Sequence, residues 1–249
     1  MACLTPAFTH SSTKALQNVA AMAPAVVMSP IVCRVRIEIW SDVVCPWCYI
    51  GKRRFETALA NIALKGTTEP IEVIYRSYQL DPQAPVTGTT PVIDAYAKKF
   101  GGRPRAEQIL THLTAVAAGD GLEFNMDRAL RANTTLSHRI LHWTKITHGS
   151  EVQITVKEAL LRAYFTQGIN IADIDQLMTI CARLHLDTTS LRTWLDQGHG
   201  TQEMLNDFQD AALRDITAVP TYVINDQFMI PGAQDVELFE RIITKMLQQ

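Results

Sequence analysis

An α/β fold, a mixed sheet split by a block of helices, is predicted by three features of this 249-residue sequence. A β-α-β pattern runs from Arg34 to Tyr75. From about Pro91 to Gly200 there are helix signals and no convincing strand. A β-hairpin followed by a helix occupies the chain from Thr221 onward.

The first strand is read from the alternation of Val35, Ile37 and Ile39 on one side, ahead of Trp40. Cys45-Pro46-Trp47-Cys48 follows. Proline is favoured at the first position inside a helix, where its missing N–H costs nothing. Pro46 therefore starts a helix, which runs to about Leu64 and stops near Gly66. Residues 71–75, Ile-Glu-Val-Ile-Tyr, make a second strand, and a crossover between parallel neighbours is right-handed. Asp81-Pro-Gln-Ala-Pro85 then breaks the pattern.

In the helical block, Val152 to Phe165 reads as a helix with a buried face, ending at Gly168. Ile174, Leu177, Met178, Cys181 and Leu184 share one helical stripe, with Asp173 and Gln176 in a capping-box arrangement. Cys181, on that stripe, reads as a small core residue. A further helix runs to about Ile216. Thr221 to Ile224 and Gln227 to Ile230, separated by Asn225-Asp226, give a hairpin. Val236, Phe239, Ile243 and Met246 mark the last helix.

The two thiols of Cys45 and Cys48 lie one helical turn apart. As N-cap, Cys45 would hold its sulfur beside the free N–H groups of Trp47 and Cys48, at the positive end of the helix dipole. That placement favours a thiolate, the nucleophile in thiol–disulfide exchange, and predicts a Cys45 thiol titrating well below the ~8.5 of free cysteine. Cys48 is placed to resolve a mixed disulfide. A structural zinc site needs four ligands, and Cys3, Cys33 and Cys181 form no second pair. His138 and His142 stand four apart on one likely helix face but far from finger spacing and without a metalloprotease glutamate between them. No metal is expected. Trp47 is expected at the exposed rim, and Gln79 and Asp81 near the cleft. Lys52, Arg53 and Arg54 read as a solvated helix face.

With 23 Lys and Arg against 25 Asp and Glu, the chain carries no basic block for nucleic acid or an acidic membrane surface. No apolar run reaches the ~20 residues of a membrane span. Five cysteines with a single close pair do not form a secreted disulfide framework, which points to the cytoplasm. Residues 1–33 differ: Lys14 is their only Lys or Arg, acidic residues are absent, and Ala, Ser and Thr abound. They read as an extension outside the fold, from a start misassigned ahead of Met22 or Met28, or as an organellar transit segment; a secretory signal fits them least.

Ser41-Asp-Val-Val-Cys-Pro-Trp-Cys-Tyr-Ile-Gly-Lys-Arg-Arg-Phe-Glu56 resembles the FrnE-like branch of the DsbA family, within the thioredoxin superfamily. Asn133-Thr-Thr-Leu-Ser-His-Arg139, Ala163-Tyr-Phe-Thr-Gln-Gly168, Val219-Pro220-Thr221 and Gly232-Ala-Gln234 support the match, which runs from about Arg34 to the C-terminus. The resemblance implies a thioredoxin-like core (β-α-β then β-β-α) from residues 34–90 and 201–249, interrupted by an all-helical insertion at 91–200. It also implies thiol–disulfide oxidoreductase activity on protein or small-molecule substrates. Cys45 and Cys48 would be catalytic, with Trp47, Val219, Pro220 and Thr221 binding substrate and Val219–Pro220 a cis bond. The dithiol itself would cycle, with no bound cofactor and with glutathione open as a co-substrate. Two rivals remain. One is a glutathione-dependent isomerase or transferase of aromatic or polyketide-like compounds, although that branch carries serine where this chain has Cys45. The other is a non-catalytic binding module or chaperone. Neither redox direction nor oligomeric state follows from the sequence.

Overall fold

A computed structural model describes residues 35–67 and 69–248, so the expectations for residues 1–33, with Cys3 and Cys33, lie outside the described residues. Four strands form one sheet in the order β2-β1-β5-β6. Strand β1 (Val35–Ser41) pairs in parallel with β2 (Ile71–Ser77), and between them runs α1 (Pro46–Leu64). On its other side β1 pairs antiparallel with β5 (Thr221–Ile224), which pairs antiparallel with β6 (Phe228–Pro231). The final helix is α9 (Val236–Leu247).

The alternation in β1 sends Val35, Ile37 and Ile39 into one buried cluster with Phe55, Ala58 and Ile62 of α1 and Phe239 and Ile243 of α9. Phe55, Tyr222 and Phe239 meet with ring centroids 4.8–5.5 Å apart. Each such aromatic pair adds ~0.5–1.5 kcal/mol beyond area burial. The opposite face of the strand carries Glu38, held by Arg36 and Arg76, and Trp40, whose indole N–H donates to Asp207 O at 3.0 Å.

Between β2 and β5 the regular structure is almost wholly helical: α2 (Val92–Phe100), α3 (Arg103–Gly119), α4 (Thr135–His148), α5 (Ser150–Phe165), α6 (Ile174–Arg183), α7 (Thr188–Asp196) and α8 (Thr201–Leu213). One detail departs from the strand-free expectation. Two-residue strands β3 (Thr90–Pro91) and β4 (Leu130–Arg131) pair antiparallel, pinning the entry to α2 against the segment before α4. Stretches this short have no periodicity to read.

Two local readings need adjustment. Asp173 caps α6, accepting from the N–H groups of Asp175 and Gln176, but Gln176 turns to the Asp173 carboxylate and the Asn170 N–H instead of closing the reciprocal box. In the hairpin, Asn225 and Asp226 both take positive φ (49° and 59°), as a two-residue turn requires. The register nevertheless pairs Ile224 with Phe228, leaving Gln227 as an extra residue. Asn225 earns its place by a second role: its side chain and N–H bond the backbone of Arg36, extending the β1–β5 pairing.

Candidate active site

Pro46 occupies the first turn of α1 and Cys45 is its N-cap, as the sequence implies. The Cys45 carbonyl accepts from the N–H groups of Cys48 and Tyr49 at 3.0 and 3.4 Å, so the backbone half of the cap is formed. The sulfur makes no cap hydrogen bond. It is buried and donates to Val219 O at 3.5 Å, across a corner where the Val219–Pro220 bond is cis. Cys45 and Cys48 are both free thiols.

Burial changes the expected charge on Cys45. Loss of solvation pushes its thiol up, and the neighbouring Cys48 sulfur pushes it further. Cys48 carries the same burial penalty, yet it is drawn below the usual thiol range by the hydrogen bond from Cys45, by the Lys157 ammonium and by Ser41. Of the two thiols, Cys48 is therefore the one whose ionised form its surroundings favour. The helix-start position of Cys45 alone does not make it the thiolate, because its sulfur faces the Val219 carbonyl instead of the free N–H groups.

Asp42 anchors the turn before Cys45. One carboxylate oxygen accepts from the Val43 N–H (2.8 Å) and lies 3.1 Å from His138 Nε2, while the other accepts from the Leu80 N–H (2.8 Å). Burial would raise its pKa, but His138, the Leu80 N–H and Lys157 together hold it below 3.8. A carboxyl depressed in the folded state contributes stability that is present above its unfolded value and lost as pH falls through the folded one. Thermal melts on acidification are therefore expected to fall more steeply for the wild type than for Asp42→Asn below about pH 4. Parallel curves would remove Asp42 from this account. His138 is buried in the core, paired with Asp42.

Two cavities adjoin the dithiol. One, of about 460 Å³, is walled by Cys45, Pro46, Trp47 and Val219 on one side and by Phe100, Ile109 and Leu113 of α2 and α3 on the other. A second, of about 750 Å³, shares Leu80, Tyr96 and Phe100 with the first and extends to Val44, Val92 and Tyr164. Trp47 is 39% exposed at the rim. Val219 lines the first cavity, while Pro220 is buried against α1. Thr221 differs from its expected contact with substrate: it is buried, and its hydroxyl donates to Ala218 O at 2.8 Å, so it holds the corner from within. Asp81 lines the larger cavity, paired with Arg131 at 2.7 Å, whereas Gln79 is spent on the Thr134 and Thr135 hydroxyls at the start of α4.

The Lys52, Arg53, Arg54 run is not a solvated face. Lys52 is 2% exposed and bonds Glu56 and Glu158 at 2.6 Å each; Arg53 also meets Glu158, and Arg54 meets Asp120. These cations clamp α5 and the end of α3 onto α1. The neighbour of Glu158, Lys157, is fully buried, its Nζ 3.4 Å from the Ser41 carbonyl. A helical-wheel reading would have flagged it, since Gln153, Val156, Lys157, Leu160, Leu161 and Tyr164 form one buried stripe.

A family model described as DSBA-like thioredoxin domain matches residues 36–244. The uncharacterized protein YwbO of Bacillus subtilis (strain 168) is 31% identical over 219 residues, 84% of this chain and 96% of YwbO. Among solved structures, a probable DsbA oxidoreductase from Streptomyces coelicolor is similar, with TM-score 0.77 and 31% identity over 86% of this chain and 91% of that one. The cytosolic disulfide reductase DsbM of Pseudomonas aeruginosa, solved with GSH, shares the fold: TM-score 0.61, 13% identity, 86% of this chain and all of that one. With the Cys45–Cys48 pair at the start of α1 and the cis Val219–Pro220 corner against it, the chain belongs to the DSBA-like thioredoxin domain family.

Proposed function

We propose that this protein is a thiol–disulfide oxidoreductase that exchanges disulfides through Cys45 and Cys48. The observation that carries the reading is the asymmetry of the two sulfurs. Cys45 lines the cleft beside Val219 and Trp47, whereas Cys48 lies behind it among Ser41, Asp42 and Lys157. In the dithiol, Cys45 passes its proton to the Cys48 sulfur as it attacks a substrate disulfide; one substrate sulfur leaves as a thiolate and the other joins Cys45. Cys48 gives that proton to the departing substrate thiolate and, a thiolate again, attacks Cys45, forming the Cys45–Cys48 bond and releasing the second substrate sulfur as a thiolate. An extended substrate backbone can pair along Val219, while its side chains enter the cavities. Protein disulfides and small-molecule disulfides such as oxidised glutathione are the candidate substrates. The cytoplasmic assignment rests on the single close cysteine pair.

The purified protein is expected to accelerate dithiothreitol-driven reduction of insulin, followed as turbidity. A rate equal to the uncatalysed one would sink the reading. One observation favours a second reading, a glutathione-dependent isomerase or transferase of an aromatic compound. The adjoining cavity of about 750 Å³, with Tyr96 and Tyr164 in its wall, lies in the size range of small-molecule sites. Under that reading, activity on the small molecule would need added glutathione and survive the loss of Cys48.

A further inference from the structure

One block of the sequence, Ala163-Tyr-Phe-Thr-Gln-Gly168, takes no part in the exchange steps above. Its Tyr164, at the end of α5, is 2% exposed and lines the cavity of about 750 Å³. Phe165 holds the ring edge-on, with centroids 4.8 Å apart, and the hydroxyl has no hydrogen-bond partner among the described residues. A tyrosine buried this deeply ordinarily bonds its hydroxyl. Among the described residues, the unpartnered polar side-chain atoms sealed inside the protein belong to Ser41, Arg53 and Tyr222. The Tyr164 hydroxyl is not one of them, so it reaches open space, and the space it lines is this cavity. Tyr96 stands on the wall common to both cavities, its hydroxyl likewise unbonded among the described residues. Burial pushes both phenols up, Tyr96 to about 12, so each remains a donor at neutral pH.

The rest of the wall limits what can accept from these donors. Apart from Tyr164, the buried residues of the lining are Ala84, Val92 and Ala132, all apolar. An isolated water needs several polar partners, which that lining does not supply. An anion fares no better. The field of the Asp42 carboxylate reaches Tyr164, Arg131 is already paired with Asp81 at 2.7 Å, and Lys98 and Lys99 lie exposed. A charged oxygen at the floor would therefore be desolvated without a counter-ion, whereas a neutral one loses little. The rings of Tyr96 and Phe100, with centroids 5.3 Å apart, face the same space and suit a flat apolar body. We propose that this cavity is a binding site for an uncharged, ring-bearing small molecule whose carbonyl oxygen accepts from Tyr164, with Tyr96 as the second donor. The inference goes beyond the exchange reading, because it stands on the cavity wall and holds whichever reaction the thiols carry out.

The test compares the full-length wild type with Tyr164→Phe, which removes the hydroxyl and keeps the ring. Three probes are titrated by ligand-observed NMR: 1-tetralone, its parent hydrocarbon tetralin, and the anion 1-naphthoate. Tetralone is expected to bind the wild type and to bind Tyr164→Phe about fivefold more weakly, the size of one net hydrogen bond. Tetralin, with no acceptor, should bind the two proteins equally within about twofold, and naphthoate should bind the wild type more weakly than tetralone. Tetralone that fails to bind the wild type up to its solubility overturns the proposal. So does a Tyr164→Phe that holds tetralone as the wild type does, which would leave the hydroxyl to water alone. Equal weakening of tetralone and tetralin makes the hydroxyl merely structural and also overturns it, as does naphthoate binding as tightly as tetralone. Should Tyr164→Phe not fold, Tyr96→Phe carries the same comparison with the same deciding outcomes. None of the probes is a thiol or a disulfide, so insulin reduction tests the exchange reading separately, and either can fail without the other.

Discussion

Cys45→Ser is expected to bring catalysed disulfide exchange down to the uncatalysed rate, while Cys48→Ser accumulates mixed disulfides. The two sulfurs differ in access. Cys45 lines the cleft; Cys48 is buried behind it, its thiol drawn down by Cys45, Lys157 and Ser41. A serine hydroxyl at position 45 stays protonated at neutral pH and is no substitute for a sulfur nucleophile. Without Cys48 the first attack still proceeds, although the proton on Cys45 loses its nearest acceptor, and the covalent intermediate then has no internal resolving thiol. Insulin turbidity reads the first loss, and non-reducing electrophoresis with intact-mass measurement reads the trapped adduct. Adducts on the Cys45→Ser protein, with none on Cys48→Ser, would reverse the assigned roles.

Gly51→Ala is expected to destabilise the protein, although it places a better helix former inside α1. At an exposed helical site that change would gain ~1 kcal/mol. Here a Cβ would stand 2.7 Å from the Tyr222 hydroxyl, 3.0 Å from Pro220 Cγ and 3.2 Å from Ala233 Cβ, so either α1 or the cis-proline corner must move. Overpacking of this kind costs ~1–3 kcal/mol, which offsets the helix gain and leaves a net loss of up to about 2 kcal/mol. For a chain of this size that is a fall in Tm of several degrees. Exchange activity should fall with it, because Pro220 is bonded to Val219, and Val219 O is the partner of the Cys45 sulfur. Gly119→Ala is the control: nothing lies within 4 Å of its Cβ position, so that change is expected to be neutral or mildly stabilising. Equal effects at the two sites would dismiss the close approach of α1 to the proline corner.

The sequence by itself determined the elements whose signals lie within a few residues of one another. Pro46 after Cys45 starts α1, the alternation of Val35, Ile37 and Ile39 makes β1, and Asn225-Asp226 turns the hairpin. Each depends on local backbone geometry or on side-chain period, which neighbouring residues supply. Tertiary structure alone decided the electrostatics of the site. Cys45, at a helix start, would be the thiolate on local grounds, yet burial under Val219 pushes its thiol up, while Lys157, more than a hundred residues further along, helps draw the Cys48 thiol down. The same holds for Lys52 and Arg54, which look solvated until Glu158 and Asp120 fold against them, and for Thr221, whose hydroxyl is taken by Ala218 O. The physical reason is one of range. Capping and periodicity act through bonds and contacts along the chain, whereas solvation and Coulomb interactions act through space, and the groups that set them for a buried sulfur are brought together only by folding.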